Sequence, residues 1–151
     1  MSSLIIELKI EDFSKCSVIW DIKKQSVLAE KFYTELVSGV RRTFIYTDEN
    51  EYIAEISIVY DMHDSDYTIP NQRAYISHLI VKKEYRKQGI GRQLVDCICK
   101  IAAEEGYREL SIGVDLDNYP AIKLYSEAGF NKIVKADADW QGAYIKLMKT
   151  I

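Results

Sequence analysis

Two short stretches of this chain carry residues whose types and spacing could do chemistry. The first runs Leu79-Ile80-Val81-Lys82-Lys83-Glu84-Tyr85-Arg86-Lys87-Gln88-Gly89-Ile90-Gly91-Arg92. An apolar strand enters a basic turn with two glycines, and the turn opens a helix. Glycines let a backbone approach a ligand without a Cβ in the way. The N–H groups of a first helical turn face outward, backed by the positive end of the helix dipole. With Arg86, Lys87 and Arg92 close in sequence, the turn suits a phosphate or pyrophosphate. The same residues also read as a plain helix start with a solvated basic face. A P-loop would need Gly-x-x-x-x-Gly-Lys and then Ser or Thr, and a dinucleotide fingerprint a third glycine; neither is present. The second stretch is Asn118-Tyr119-Pro120-Ala121-Ile122-Lys123-Leu124-Tyr125-Ser126-Glu127-Ala128-Gly129-Phe130. Asn118 suits a helix cap, Pro120 a first turn and Gly129 a helix end. Tyr125 brings a phenol, protonated at neutral pH and able to donate that proton.

The elements that must position these residues follow one another closely. Leu4 to Ile10 reads as a strand, Asp12 to Lys24 as a helix, and Ser26 to about Gly39 as a second helix with Leu28, Phe32 and Leu36 in line. Thr43 to Thr47 and Tyr52 to Tyr60 read as a hairpin turning at Asp48-Glu49-Asn50, its second strand carrying Tyr52, Ala54, Ile56, Ile58 and Tyr60 on one face. A polar loop follows, from Asp61 to Arg73. Ala74 to Val81 is a strand, Gly91 to Glu105 a helix, and Glu109 to Asp115 a strand that should lie parallel to Ala74–Val81. The short helix after Asn118 leads to a last pair of strands, Phe130 to Lys135 and Ala143 to Lys149. The order predicts an α/β fold, with a mixed central sheet and helices on both faces.

The chain has 151 residues, the length of one domain, and residues 1–151 are expected to form a single one. A net charge of −3 argues against a nucleic-acid partner, which calls for a basic face. Basic residues crowd Lys82 to Arg92 while Asp61, Asp64 and Asp66 crowd another stretch, a pattern that suits a small anionic ligand better than a polyanion. The cysteines Cys16, Cys97 and Cys99 form no Cys-x-x-Cys pair. With no leader segment recognised, they indicate a cytoplasmic protein. No apolar run is long enough to span a membrane, and nothing indicates a metal site.

Arg86-x-x-Gly89-x-Gly91 after Leu79-Ile80-Val81 resembles the acyl-CoA-binding motif of the GNAT N-acetyltransferases. Asn118 through Tyr125 to Gly129-Phe130 is similar to the second signature of that family, and the element order fits over nearly the whole chain. The resemblance implies an N-acetyltransferase that moves an acetyl group from acetyl-CoA to a primary amine. It implies that backbone groups of the Leu79, Ile80 and Val81 strand pair with the pantetheine arm, in an opening between that strand and Glu109–Asp115. The backbone of Arg86, Lys87, Gln88, Gly89, Ile90 and Gly91 would hold the pyrophosphate. Asn118 would contact the arm, Leu79 N–H would face the oxyanion, and Tyr125 would protonate the leaving thiolate. The acceptor is then a small-molecule or peptide amine, and a homodimer through the last hairpin is plausible for the family. A non-catalytic acyl-CoA sensor or an interaction module with the same fold are the alternatives.

The base that would take the amine proton has several candidates. Some members of the family carry a Glu early on the central strand, where this chain has Tyr75 or Ser77. His78 has a suitable intrinsic pKa but reads first as a structural histidine. Glu55 reads as a base through water or as a surface carboxylate. Asp61, His63, Asp64 and Asp66 could draw in a cationic amine or form a solvated acidic loop. A water chain could also serve.

Overall fold

The computed structural model describes residues 2–151. Its elements are β1 (Ser3–Glu7), a 3-10 segment (Ile10–Val18), α1 (Ser26–Ser38), β2 (Arg41–Asp48), β3 (Glu51–Val59), β4 (Arg73–Val81), a 3-10 turn (Lys83–Tyr85), α2 (Ile90–Glu104), β5 (Glu109–Asp115), α3 (Tyr119–Glu127), β6 (Lys132–Asp139) and β7 (Gly142–Thr150). The strands form one seven-stranded sheet, mixed as the element order predicts, in the order β1-β2-β3-β4-β5-β7-β6. Two compact units divide the chain. One holds the residues up to Val59 with Ser77–Val95, the other Tyr60–Ile76 with Asp96–Ile151.

In the first unit β1, β2 and β3 form an antiparallel meander. Glu49 and Asn50 both take positive φ, 52° and 68°, so β2 and β3 are joined by the two-residue left-handed turn that matches strand twist. Both faces of β3 are buried, from Ile53 through Val59, where the sequence shows only one apolar row. Helix α1 buries Ala29, Phe32 and Leu36. It ends at Gly39, which takes φ +84° and donates its N–H to the Leu36 carbonyl. Leu8, Cys16, Trp20 and Ile45 complete that core. The expected helix over Asp12 to Lys24 is instead a 3-10 segment that ends at Val18. Asp12, Ser14 and Ser17 offer the backbone local alternatives to α-helical bonds there, and Cys16 is its one buried residue.

In the second unit β5 lies parallel to β4 at Arg73–Tyr75 and antiparallel to β7 along its whole length. Strand β6 pairs only with β7 and is mostly exposed. Its turn presents Trp140, 90% exposed. Asn118 caps α3 by accepting the Ala121 N–H at 3.3 Å. Helix α2 runs through both units and buries Leu94, Ile98 and Ala102 at four-residue spacing, with Val95 beside them.

Candidate active site

The basic turn lies in the first unit, between β4 and α2. Arg86 Nε donates to the Val81 carbonyl at 2.9 Å, and Lys82 N–H donates to the Ile53 carbonyl at 3.0 Å. These bonds fix where the turn leaves the sheet. Lys87 and Gly89 both take left-handed φ, 63° and 83°. Left-handed residues in such a turn aim successive N–H groups into one concavity, an anion-binding nest. No atom lies within 4 Å of where a Gly89 Cβ would stand, so the approach over this glycine is open. The first N–H groups of α2 have no partner within the helix, and its dipole adds positive potential. The donor set therefore fits a pyrophosphate. Ile90 turns its side chain into the core and leaves only backbone to a ligand. The Val81 carbonyl is already taken by Arg86.

Below the turn His78 interrupts β4 with φ +57°, so the simple side-to-side alternation expected for Ser77, His78 and Leu79 breaks there. His78 Nδ1 lies 2.9 Å from Glu55 Oε2, and Trp20 Nε1 donates to Glu55 Oε1 at 2.8 Å. The His78 ring packs edge-on to Trp20 and Phe32. Arg41 stacks over Phe32, donates to Glu35 Oε1 at 2.9 Å and reaches Ser77 Oγ at 3.0 Å. Glu55 is 3% exposed with both carboxylate oxygens engaged. It is not a surface carboxylate. Burial, then the Glu55 charge, push the Cys16 thiol far up, so Cys16 is inert packing. The Trp20–Glu55 bond spans 35 residues, and no local pattern in the sequence could have announced it.

Tyr125 lies in the second unit on α3, 4% exposed and edge-to-face with Phe130 at 5.5 Å. Burial, then the neighbouring Tyr75 phenol, hold its pKa far above the ordinary tyrosine value. It therefore keeps its proton at neutral pH. The acidic loop is largely neutralised from within. Lys146, 6% exposed, donates to Asp64 Oδ2 at 3.1 Å and to Asp66 Oδ2 at 3.0 Å. Asp61 accepts the His63 N–H. That loop and the β5–β7 face border an open cleft of about 330 Å³, with Tyr67, Tyr75, Gly113 and Tyr144 among its walls. Sequence reasoning missed Tyr67, Gly113, Tyr144 and Lys146. The one signal for them was the alternation of Tyr144 and Lys146 on β7, which resembles any half-exposed strand. Among the described residues no group of three His, Cys, Asp or Glu is placed to hold a metal, and no helix is long and apolar enough to cross a membrane.

The seven-stranded mixed sheet with its helices matches the fold of GNAT acetyltransferase structures. The chain belongs to the acetyltransferase (GNAT) family, whose model matches residues 5–130. It is similar to GCN5-related N-acetyltransferase 7, chloroplastic, of Arabidopsis thaliana, with 36% identity over 73 residues, or 48% of this chain and 26% of that protein. In fold it is similar to the crystal structure of aminoglycoside 6'-acetyltransferase type Ii, with TM-score 0.76 and 22% identity over 97% of this chain and 96% of that one. A GNAT family acetyltransferase from Elizabethkingia anophelis with acetyl-CoA bound is also similar, with TM-score 0.75 and 17% identity over 99% and 98% of the two chains. At these identities the structural likeness is one of fold. The chain spans 26% to 56% of the length of the curated relatives it matches first.

Proposed function

We propose that this chain is an N-acetyltransferase that uses acetyl-CoA as co-substrate, with residues 1–151 as one catalytic domain. The observation that carries the reading is the Arg86–Gly91 turn, with its paired left-handed residues, open glycine and α2 N-terminus. Family membership and the fold of a relative with acetyl-CoA bound support it. In this reading backbone N–H groups from Arg86 to Gly91 hold the pyrophosphate, and the 79–81 strand and Asn118 hold the pantetheine arm.

The reaction is direct transfer. A neutral primary amine attacks the thioester carbonyl, a C–N bond forms, and the C–S bond breaks. The amine sheds one proton to solvent, the thiolate receives one from Tyr125, and the tyrosinate then regains a proton from solvent. Leu79 N–H faces the developing oxyanion. Glu55 and His78 hold the β4 backbone rather than take the amine proton, since the Glu55 oxygens are engaged within the core. A water chain then carries the proton away. The acceptor is an amine-bearing small molecule or peptide. Three free cysteines support a reducing, cytoplasmic setting. A homodimer through the β6–β7 hairpin fits the exposed Ile133 and Trp140 there.

A thermal melt with acetyl-CoA at about 100 times its dissociation constant tests the cofactor. Such an excess stabilises the native state by about 2.7 kcal/mol, a rise of roughly 5–10 °C for this size. A melting temperature that stays flat across a wide range of acetyl-CoA concentrations sinks the reading.

A further inference from the structure

The cavity on the β5–β7 face is built for a particular kind of guest. Gly113 lies opposite Lys146, and Asp115 opposite Tyr144, in the β5–β7 register, so all four share one face of the sheet. Gly113 lacks a Cβ because the Tyr67 hydroxyl fills that space: a Cβ there would stand 2.5 Å from it. The Tyr67 ring in turn packs on Tyr75 at 4.7 Å. Three tyrosines thus wall a space of about 330 Å³, at the lower end of small-molecule sites. Aromatic faces attract cations and the hydrocarbon between them.

The charges point the same way. Lys146 is the one cation in the lining, and Asp64 and Asp66 already answer it. Asp115 and Asp139 also line the cavity and lie on its exposed side. Asp139 accepts only the Gln141 N–H, and Asp115 has no ion-pair partner among the described residues. An aromatic pocket with two uncompensated carboxylates at its rim matches an aliphatic chain with a positive charge at each end. The Tyr75 wall also neighbours Tyr125, which brings the pocket beside the phenol assigned to thiolate protonation.

We propose that this pocket is the acceptor site and that it selects compact amines carrying a second cationic group. The word acceptor rests on the acetyltransferase reading; the binding of a dication does not. Asp115 and Asp139 hold the far ammonium, while the near amine, deprotonated, meets the thioester.

Three amines of one chain length separate the charge from the size: butane-1,4-diamine, butan-1-amine and 4-aminobutanoate. Thiol release from acetyl-CoA should give the diamine a kcat/KM at least about tenfold above the monoamine, equivalent to ~1.4 kcal/mol, with 4-aminobutanoate lowest. Asp115→Asn and Asp139→Asn should raise KM for the diamine about tenfold each and leave KM for acetyl-CoA and the melting temperature unchanged. Equal use of the three amines, preference for 4-aminobutanoate or for a peptide α-amine, or indifference to both substitutions overturns the proposal. Calorimetric titration of butane-1,4-diamine into the protein reads the pocket without turnover. Heat in the wild type that weakens in both variants, with no thiol release, keeps the pocket and removes the acetyltransferase reading. Neither heat at millimolar diamine nor turnover of it removes the pocket.

Discussion

Tyr125 is the residue on which the chemistry of this protein is most exposed to test. Its hydroxyl is kept protonated by burial and by Tyr75, so it is a donor and not a base at any physiological pH. Tyr125→Phe removes the proton and little else, since the ring still packs on Phe130. The expected outcome is a fall in kcat of about 10²-fold or more, the size of a lost general acid, with the acetyl-CoA melting shift retained. Full turnover would take Tyr125 out of the reaction. Its place on a short helix was legible from Asn118, Pro120 and Gly129, which bound that helix, while its role comes from the family resemblance. Glu55 was not legible. It sits between Ala54 and Ile56 on a strand whose apolar row faces one way, which reads as an outward carboxylate. Its burial depends on Trp20 and His78 arriving from 35 residues before and 23 residues after.

At the level of elements, the turn between β4 and α2 depends on Gly89 adopting φ +83°. Gly89→Ala puts a Cβ into that left-handed conformation at a cost of roughly 1–2 kcal/mol, although no atom of the protein crowds it. The Cβ would instead meet whatever the turn binds. Thermal melts should show a modest loss of intrinsic stability and a much larger loss of the acetyl-CoA shift. A variant that loses stability but keeps the full shift would show that the turn does not hold the pyrophosphate. Element order was readable because each apolar period is bounded by its own glycine, proline or Asn-type turn, as with Gly39, Gly106 and Pro120. Where polar residues compete for the backbone, as at Asp12, Ser14 and Ser17, periodicity gives the wrong helix type. The left-handed His78 was equally invisible, because such a break in a strand is set by what packs on it rather than by its own residue type.

Across the whole molecule, one side-chain tie joins Lys146 on β7 to Asp64, 82 residues earlier. The Asp66 N–H, helped by Lys146, draws the Asp64 pKa below its ordinary value of 3.8. That contribution is complete above the ordinary value and is lost as pH falls through the depressed one. Burial pulls Lys146 down, but Asp66 and Asp64 outweigh it, so its pKa lies above the ordinary 10.5. Its contribution is complete below 10.5 and fades only as pH rises past the elevated value. The tie should hold from about pH 4 to beyond pH 10. Hydrogen exchange in residues 61–72 should accelerate below that window before the rest of the chain opens, and Lys146→Met should produce the same pattern at pH 7. Exchange that stays uniform in both experiments would mean the loop is held by other contacts. The sequence displays both halves of this tie, yet nothing in it pairs a lysine on the last strand with a loop before the central one. Trp140 and Trp20 finally differ in a way that light can read. Trp20 is shielded and bonded to Glu55, so it should emit at short wavelength and resist collisional quenchers, whereas Trp140 should emit at the red edge. With Asp139 beside it, Trp140 should be quenched more readily by caesium than by iodide, and a dication settling at that rim would reverse the preference.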